Sequence, residues 1–412
     1  MLALAFVLAA CLWSALSLLL SVRQIAHVRR HRDAVPADFA AAVSGADHRR
    51  AADYTIEREK LSAVEGALEL VVAIGWVLGG IDGLYEALGR VLAPGYGLDL
   101  AFLIGTGVVG AVVALPFELW RAFRIEARFG FNRRSAGLFW RDKLKGWAIA
   151  LAFACPLILA ALWAMRTASG LWWLWTWAGL VVLMVAAPVV YVRVIAPRFN
   201  RFTPLEGELR DRIERLLEGA GFRASGLFAM DASRRTAHGN AYFIGFGRAK
   251  RIVLFDTLID KSPPAEIEAV IAHELGHFRH RHVLFGLARG ALISLLMLAA
   301  FGWLCRQPWL LPSFGVRADG DGLRLFACLL LASTVGPLLA PLSNWISRRN
   351  EYQADEYARR TVGADPMVGA LTRLARDNAS TLTPDPLYAL AHYTHPPVPL
   401  RVHRLRASQA AA

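Results

Sequence analysis

The sequence predicts a mainly α-helical, polytopic membrane protein with about seven transmembrane helices and a cytoplasmic segment that contains a small β-sheet. Of its 412 residues, 56% are hydrophobic and only 19% are charged, and the mean hydropathy is +0.39. Soluble domains carry more charge and lack long apolar runs. Here the apolar residues form repeated stretches of about 20 residues, the length that a helix needs to cross a bilayer.

The net charge of +13 is concentrated at the ends of the apolar stretches. Nucleic acid is the usual partner of so basic a chain, but this placement suits anionic lipid headgroups and the setting of membrane orientation. We therefore expect the lipid bilayer as a partner and no nucleic acid. The four cysteines show no Cys-x-x-Cys spacing, so neither a disulfide framework nor a thiolate zinc site is indicated: Cys11, Cys155, Cys305 and Cys328.

The first apolar span, residues 2–22, is followed at once by arginines that begin at Arg23. A cleaved signal peptide carries its basic residues before the apolar run, so we interpret this span as retained, with its N-terminus outside. Six further spans are predicted at 66–90, 99–120, 146–165, 170–192, 283–304 and 325–346. The span at 66–90 has an alternative as an amphipathic surface helix, because carboxylates are costly in a membrane. Its acidic residues are Glu65, Glu69, Asp82 and Glu86.

The loop at 121–145 is rich in Arg and Lys, which places it inside. With seven spans, residues 193–282 and everything after 347 then lie on the same cytoplasmic side. The predicted division is a first helix and basic loop at 1–60, helices 2–5 at 61–202 and a catalytic segment at 203–282. Helices 6–7 follow at 283–346, and a C-terminal catalytic segment at 347–412.

The polar segment after the fifth span predicts an amphipathic helix at 203–221 and short strands at 226–230, 242–246 and 252–255. The next helix contains His273-Glu274-Leu275-Gly276-His277. Residues four apart share a helical face, so both imidazoles can bind one Zn²⁺ while Glu274 acts as general base on a water. The alternative is a pair of polar residues on a buried helix.

Catalytic zinc usually has three protein ligands, so a third must come from elsewhere. Glu351 is the candidate, and Asp355, four residues on, can accept the outer N–H of a zinc-bound histidine. Glu356 points away from Asp355, and His280 and His282 lack the spacing of the extended three-histidine motif. We interpret these two histidines as basic residues at the membrane interface. The pattern predicts a metalloprotease with one Zn²⁺ per chain, in which Glu274 takes a proton from water and passes it to the leaving amine.

Motifs well beyond the metal ligands resemble the integral-membrane zinc endopeptidases of the CAAX prenyl protease family, over residues from about 60 to 405. They are Pro116-Phe117 through Ile125-Glu126, Phe129-Gly130-Phe131-Asn132, Ala196-Pro197 with Phe199-Asn200, Asp231-Ala232-Ser233-Arg234-Arg235, His238-Gly239-Asn240-Ala241-Tyr242-Phe243, Arg251-Ile252-Val253-Leu254-Phe255-Asp256-Thr257-Leu258, Ser347-Arg348-Arg349 through Asp355, and His395-Pro396-Pro397.

The resemblance implies seven helices around a water-filled chamber and cleavage near the C-terminus of prenylated peptides. It implies that His273, His277 and Glu351 bind the metal and that Glu274 is the base. Asn240 and the strand through Tyr242 would hold substrate backbone, His395 would stabilise the oxyanion, and Arg401 would contact substrate or the site carboxylates. From the residues alone, His395 has an alternative as a turn residue before Pro396-Pro397, and Asn240 is typical of a turn.

High Ala, Arg and Leu usage suggests a bacterial inner-membrane protein, or an endoplasmic reticulum protein if the source is eukaryotic. The substrate is then a prenylated CAAX-type polypeptide or an unmodified membrane polypeptide in quality control. Two further hypotheses stay open: a protease that cuts within the membrane, and a non-enzymatic scaffold. Arg279 and its basic neighbours, directly after the zinc helix, argue against the first of these, because they favour an interfacial position.

Overall fold

The computed structural model describes residues 2–168, 170–222, 225–244 and 251–410. Within these ranges, seven helices are long and apolar enough to cross a membrane, as the sequence predicts. They are α1 (Leu2–Arg30), α2 (Gly45–Gly89), α3 (Tyr96–Glu126), α4 (Ala136–Thr167), α5 (Trp172–Phe199), α9 (His282–Leu304) and α11 (Asp321–Val362). The other helices are α6 (Glu208–Gly219), α7 (Asp256–Ile259), α8 (Pro264–Arg279), α10 (Leu310–Ser313), α12 (Ala364–Asp377), α13 (Pro386–His392) and α14 (Val398–Ala410).

The membrane helices continue past the predicted apolar spans. Helix α2 starts at Gly45 instead of residue 66, and α11 is 42 residues long. At 1.5 Å per residue, α11 measures about 63 Å, roughly twice the thickness of a bilayer's hydrocarbon core. Its second half therefore extends beyond an apolar span of normal length, and that half carries Glu351 and Asp355.

Ion pairs account for Glu65, Asp82 and Glu86, three of the four carboxylates that intrude on the apolar span of α2. Arg121 Nη2 lies 2.6 Å from Glu65 Oε2. Arg317, in the loop before α11, lies 3.4 Å from Asp82 through Nε and 3.1 Å from Glu86 through Nη2. Paired carboxylates are far less costly in an apolar setting than isolated ones, so α2 can be a membrane helix despite its charges.

A second ion-pair network lies at the start of α11, the end far from Glu351. Arg166 donates from Nη2 to Asp99 at 2.6 Å and from Nε to Asp321 at 2.8 Å. Asp99 is buried. Because these residues belong to α3, α4 and α11, the network holds three membrane helices together at this end.

A four-stranded sheet in the order β1-β2-β4-β3 supports the helix that carries the histidine motif. Its strands are β1 (Phe202–Pro204), β2 (Gly226–Met230), β3 (Ala241–Ile244) and β4 (Arg251–Phe255). Strands β2 and β4 are parallel, and the β1–β2 and β3–β4 pairs are antiparallel. β3 is consequently an edge strand.

The sequence interpretation of this segment was right in outline and wrong at one boundary. The three predicted strands are present, although residues 245 and 246 of the second lie outside the described residues. The predicted helix at 203–221 begins only at Glu208, because Phe202–Pro204 pairs with β2 as an edge strand. An edge position is where a strand tolerates proline.

One face of the sheet packs on α8. Alternate strand residues such as Ile252 and Leu254 join Ile267, Ile271 and Leu275 of α8 in one buried cluster. The apolar side of α8 thus faces the sheet and α6. The opposite side of α8, which carries His273 and His277, faces α11.

Candidate metal centre

Helix α8 approaches α11 closely at Gly276. A β-carbon at this glycine would lie 2.8 Å from Cα and 3.0 Å from the carbonyl oxygen of Ala354. Only a residue without a side chain permits this contact. The close approach brings the two motif histidines beside Glu351, which lies one helical turn before Asp355 on α11.

Three side chains converge at the crossing. His277 Nε2 lies 3.2 Å from His273 Nε2 and 3.2 Å from Glu351 Oε1. His273 Nε2 lies 3.4 Å from Glu351 Oε2. A tetrahedral ion with ligands at ~2.0–2.1 Å has ligand–ligand edges of about 3.3 Å. The separations in the protein match those edges.

The chemistry of these donors also fits a metal ion. Glu351 is only 4% exposed, and its Oε2 has no hydrogen-bond partner within the described residues. A buried carboxylate oxygen that accepts no hydrogen bond keeps its lone pairs available to a metal ion. Two imidazoles and one carboxylate are a common ligand set for catalytic zinc, with the fourth position left open. The site therefore fits Zn²⁺.

Asp355 orients His273. Its Oδ1 lies 2.9 Å from Nδ1 of the imidazole. A proton on Nδ1 leaves the Nε2 lone pair directed at the centre, as is usual for histidines that bind metals. Burial lowers the pKa of His273, but the nearby carboxylates of Asp355 and Glu351 outweigh burial and raise the pKa to about 9 in the metal-free protein.

Arg401 of α14 holds the carboxylates in turn. It donates from Nε to Asp355 Oδ2 at 2.8 Å and from Nη2 to Asp355 Oδ1 at 2.5 Å. Its Nη1 lies 3.6 Å from Glu351 Oε2. Of the two contacts expected for Arg401, substrate or site carboxylates, the structure contains the second. Since Arg401 is buried, its charge compensates the two acidic groups.

His282 orients the other histidine, a contact that the sequence did not indicate. Its Nδ1 lies 3.0 Å from His277 Nδ1, and its Nε2 lies 2.8 Å from Gln353 Oε1. With His277 protonated at Nδ1 and His282 at Nε2, each nitrogen of this chain has a matching donor or acceptor. His282 was expected only as a basic residue at the membrane interface, but its ring also keeps His277 Nε2 directed at the centre.

Glu274 and His395 lie at the same site. Glu274 follows His273 on α8, and burial raises the pKa of its carboxyl group. His395, in the loop between α13 and α14, places Nε2 3.4 Å from Glu351 Oε1, while 64% of its side chain is exposed. Its Nδ1 lies 2.9 Å from Thr394 Oγ1. The loop before Pro396 therefore brings a third imidazole to the open side of the centre.

Asn240 and Tyr242 lie on the edge of the sheet. Asn240 Oδ1 accepts from the backbone N–H of Ala241 at 2.8 Å. The Tyr242 hydroxyl contacts Met230 Sδ at 3.9 Å, on the sheet face opposite to α8. Among the described residues, no hydrogen bond links either side chain to the metal-ligand cluster. Within the described residues, β4 is the one strand that pairs with β3, so the other backbone edge of β3 is unpaired there.

The residues set aside as ligands have other partners. Glu356 bonds Arg359 at 2.9 Å and Arg360 at 2.6 Å. His280 stacks on His282 at 5.5 Å between ring centroids. The cluster of possible metal ligands in the described part of the chain is His273, His277 and Glu351.

Comparison with known proteins gives matches over nearly the whole chain. A family model for the N-terminal part of CAAX prenyl proteases, with five membrane helices, matches residues 24–201, and the model for peptidase family M48 matches residues 204–409. A CAAX prenyl protease 1 homolog of Oryza sativa subsp. japonica is 32% identical and covers 92% of each chain. CAAX prenyl protease 1 of Saccharomyces cerevisiae is 33% identical and covers 74% of this chain and 72% of its own length.

A solved structure is similar over almost the full length. The crystal structure of S. mikatae Ste24p superposes with a TM-score of 0.91 at 26% identity and covers 98% of both chains. This likeness confirms the fold class that the sequence predicts. The three relatives are eukaryotic, and they give no support to the bacterial source suggested by the composition.

Proposed function

The chain belongs to the CAAX prenyl protease family of M48 peptidases, and from this premise we propose that it cleaves membrane-associated polypeptides near their C-termini with one Zn²⁺ held by His273, His277 and Glu351. Membership in this family makes the protein an integral-membrane metalloendopeptidase. The observation that carries the proposal is the convergence of two Nε2 atoms and one carboxylate at 3.2–3.4 Å.

Bound at this position, Zn²⁺ would act as a Lewis acid that polarises a peptide carbonyl and acidifies a water. The protein supplies the remaining steps. Glu274 accepts the proton of the attacking water and returns it to the leaving amine. The raised pKa of this carboxyl group suits the first role, because a carboxylate with a higher pKa is a stronger base toward water than an exposed glutamate.

The other residues position groups and stabilise charge. Asp355 keeps a proton on His273 Nδ1, and Arg401 holds Asp355 in place. His395, on the open side of the centre, donates from Nε2 to the carbonyl oxygen as negative charge develops there. Removing one such donor from a hydrolase costs about 10²–10³ in kcat.

Strand β3 supports recognition of an extended peptide. Among the described residues its outer edge is unpaired, so a peptide can add to the sheet as a further strand through backbone hydrogen bonds. Asn240 and Tyr242 lie at the start of this edge. Backbone pairing is largely independent of side-chain sequence. This favours, as a second candidate, a quality-control protease that acts on unmodified membrane polypeptides.

The two substrate classes can be separated directly. The relatives are named for CAAX prenyl proteolysis, so we expect a farnesylated C-terminal peptide to be cleaved with a higher kcat/KM than its unprenylated counterpart. Equal values for the two peptides would favour the quality-control role. A nucleic acid partner is not part of either proposal.

We further infer that the catalytic segments face the cytoplasm. Arginines lie at the end of α1 (Arg29 and Arg30) and in the loop after α3 (Arg128, Arg133 and Arg134). Both regions contact the segment that carries α8: Phe39 packs with Ala269 and Ala272 of α8 in one buried cluster, and Asn132 pairs with Thr236. Membrane-protein loops with an excess of Lys and Arg stay on the cytoplasmic side of the membrane. A cysteine introduced at position 279 should react with an impermeant thiol reagent from the cytoplasmic side, whereas a protease that cuts within the bilayer would protect it.

The catalytic assignment is tested with Glu274→Gln. This variant should retain the metal and lose peptide cleavage, because the amide cannot accept the proton from water. A metal chelator should abolish cleavage by the wild-type protein. Cleavage that survives in Glu274→Gln would exclude Glu274 as the base, and a scaffold role would be supported if metal-ligand variants kept their biological activity.

A further inference from the structure

A groove separate from the metal centre opens between the end of α1, the second half of α11 and the segment around α13. Its volume is about 460 Å³, within the ~300–1,000 Å³ range of small-molecule sites. We call it the α1–α11 groove. Its walls include His27, His31, Trp345, Arg348, Thr383 and Leu390.

The walls of the α1–α11 groove are mainly apolar and partly open. Trp345 is 47% exposed and Leu390 is 55% exposed. Several prolines continue this surface, including Pro396 and Pro397, which directly follow His395. An open apolar surface at the end of a membrane helix suits a hydrocarbon chain better than water.

The groove carries two arginines, and two of its buried polar atoms have no hydrogen-bond partner among the described residues. Arg348 and Arg349 line it together with two histidines, and no acidic residue is among the described lining residues. Arg348 donates from Nη1 to the backbone oxygen of Tyr393 at 2.6 Å, but its Nη2 is buried without a hydrogen-bond partner in the described part of the chain. The same holds for Thr383 Oγ1. A guanidinium arm and a hydroxyl without partners suit an anion.

These groups also lie where the apolar parts of two membrane helices end. His27 and His31 lie at the end of α1, and Trp345 with its two following arginines lies at the end of the apolar part of α11. Tryptophan and basic residues mark the membrane–water interface. Basic pockets between membrane helices at this level bind the headgroups of anionic lipids.

We propose that the α1–α11 groove binds one anionic phospholipid. Its phosphate lies against the exposed Arg349, next to Arg348 and Thr383, and one acyl chain lies along Trp345 and Leu390. Arg349 is placed over the Trp345 ring at 5.0 Å, so the cationic and apolar parts of the site are adjacent. This matches an amphiphile rather than a free phosphate ion.

Occupancy of the groove would affect the metal centre through the loop that carries His395. Asn344 Nδ2 donates to the backbone oxygen of Ala391 at 2.7 Å. Arg348 Nη1 donates to the backbone oxygen of Tyr393. Both carbonyls lie a few residues before His395. A bound lipid would restrict this segment and favour the position of the histidine. This effect on turnover rests on the proposed function, whereas lipid binding itself does not.

The test uses the full-length protein in nanodiscs of phosphatidylcholine with or without phosphatidylserine, and native mass spectrometry to count retained lipid. Arg349→Gln should weaken retention of phosphatidylserine about fivefold, the factor that ~1 kcal/mol per basic residue represents. Leu390→Glu should abolish it by placing a carboxylate in the groove. Arg360→Gln is the matched control, since it removes the same charge from α11 outside the groove and should retain the lipid.

Unfolding temperatures of all variants in phosphatidylcholine establish that each is folded. Equal retention of phosphatidylserine in the control and both groove variants would overturn the proposal. The proposal would also be overturned if a farnesylated peptide displaced the bound lipid and its unprenylated form did not. The groove would then be part of the substrate-binding site. A loss of lipid with metal content unchanged would support the groove even if peptide cleavage proved absent.

Discussion

Gly276 on α8 and Ala354 on α11 are in direct backbone contact, and a β-carbon at Gly276 would lie 2.8 Å from Cα of Ala354. This contact sets the distance between the two helices. The three metal ligands come from both helices, so the geometry of the centre depends on it. The glycine inside the histidine motif is therefore a packing requirement as well as part of a sequence pattern.

Gly276→Ala should impair the enzyme severely. The added methyl group must push α8 away from Ala354, which separates His273 and His277 from Glu351. A displacement of about 1 Å at a catalytic site costs on the order of 100-fold in rate, and we expect a loss of that size in kcat/KM together with weaker metal binding. Gly286→Ala is the control, because its β-carbon would meet no atom within 4 Å. Full activity of Gly276→Ala would show that the helix contact does not set the site.

Asp355→Asn should lower metal affinity about 10–100-fold, the usual effect of removing a group that orients a ligand histidine. The amide no longer carries the charge that faces His273 and Arg401. Metal affinity can be measured by competition with a chelating dye. Glu356, the next residue on α11, pairs with Arg359 and Arg360 in the described part of the chain, so Glu356→Gln should bind metal normally. Equal affinities for the two variants would contradict the role of Asp355.

His282→Gln should weaken metal binding through His277, by a factor similar to that for Asp355→Asn. His282 Nδ1 lies 3.0 Å from His277 Nδ1. Loss of the His282 ring therefore leaves the imidazole of His277 free to rotate. His280→Gln provides the comparison. His280 stacks on His282, and within the described residues its ring makes no hydrogen bond to His277. If the His280 variant proved the more damaging of the two, the hydrogen-bonded chain would not be what orients His277.

Metal binding should strengthen as the pH rises toward 9. The pKa of His273 is raised to about 9 in the metal-free protein, so its ring is protonated near neutral pH and the metal must displace that proton. Apparent affinity should consequently increase by up to roughly tenfold per pH unit below this pKa. In Asp355→Asn the dependence should be shallower, because one of the groups that raise the pKa is altered. An affinity that is flat from acid to neutral pH would rule out this protonation state.

Much of the site could be predicted from spacing along single helices. His273 and His277 share one helical face, and Glu351 and Asp355 share another, and both relationships follow from helical geometry alone. The seven spans follow from apolar length in the same way. Contacts of this kind depend only on local periodicity, which the sequence displays directly.

The contact of His282 with His277 could not be predicted in this way. Helix α8 ends at Arg279, and Arg281 adopts a left-handed conformation with φ of 56°. That turn directs His282 back toward the motif. Arginine is not a residue that normally marks such a turn, so the sequence carried no signal for it. The same limit applies to β1, which exists only because β2 offers it a partner.

The central claim is that Glu351 and the two motif histidines together bind one zinc ion. Its most direct test is the zinc content per chain of the purified wild-type, Glu351→Gln and Glu274→Gln proteins, measured by inductively coupled plasma mass spectrometry. We expect one zinc per chain in the wild type and in Glu274→Gln, and a large loss in Glu351→Gln, whose neutral amide is a poor zinc ligand. A full complement of zinc in a folded Glu351→Gln protein would contradict the account.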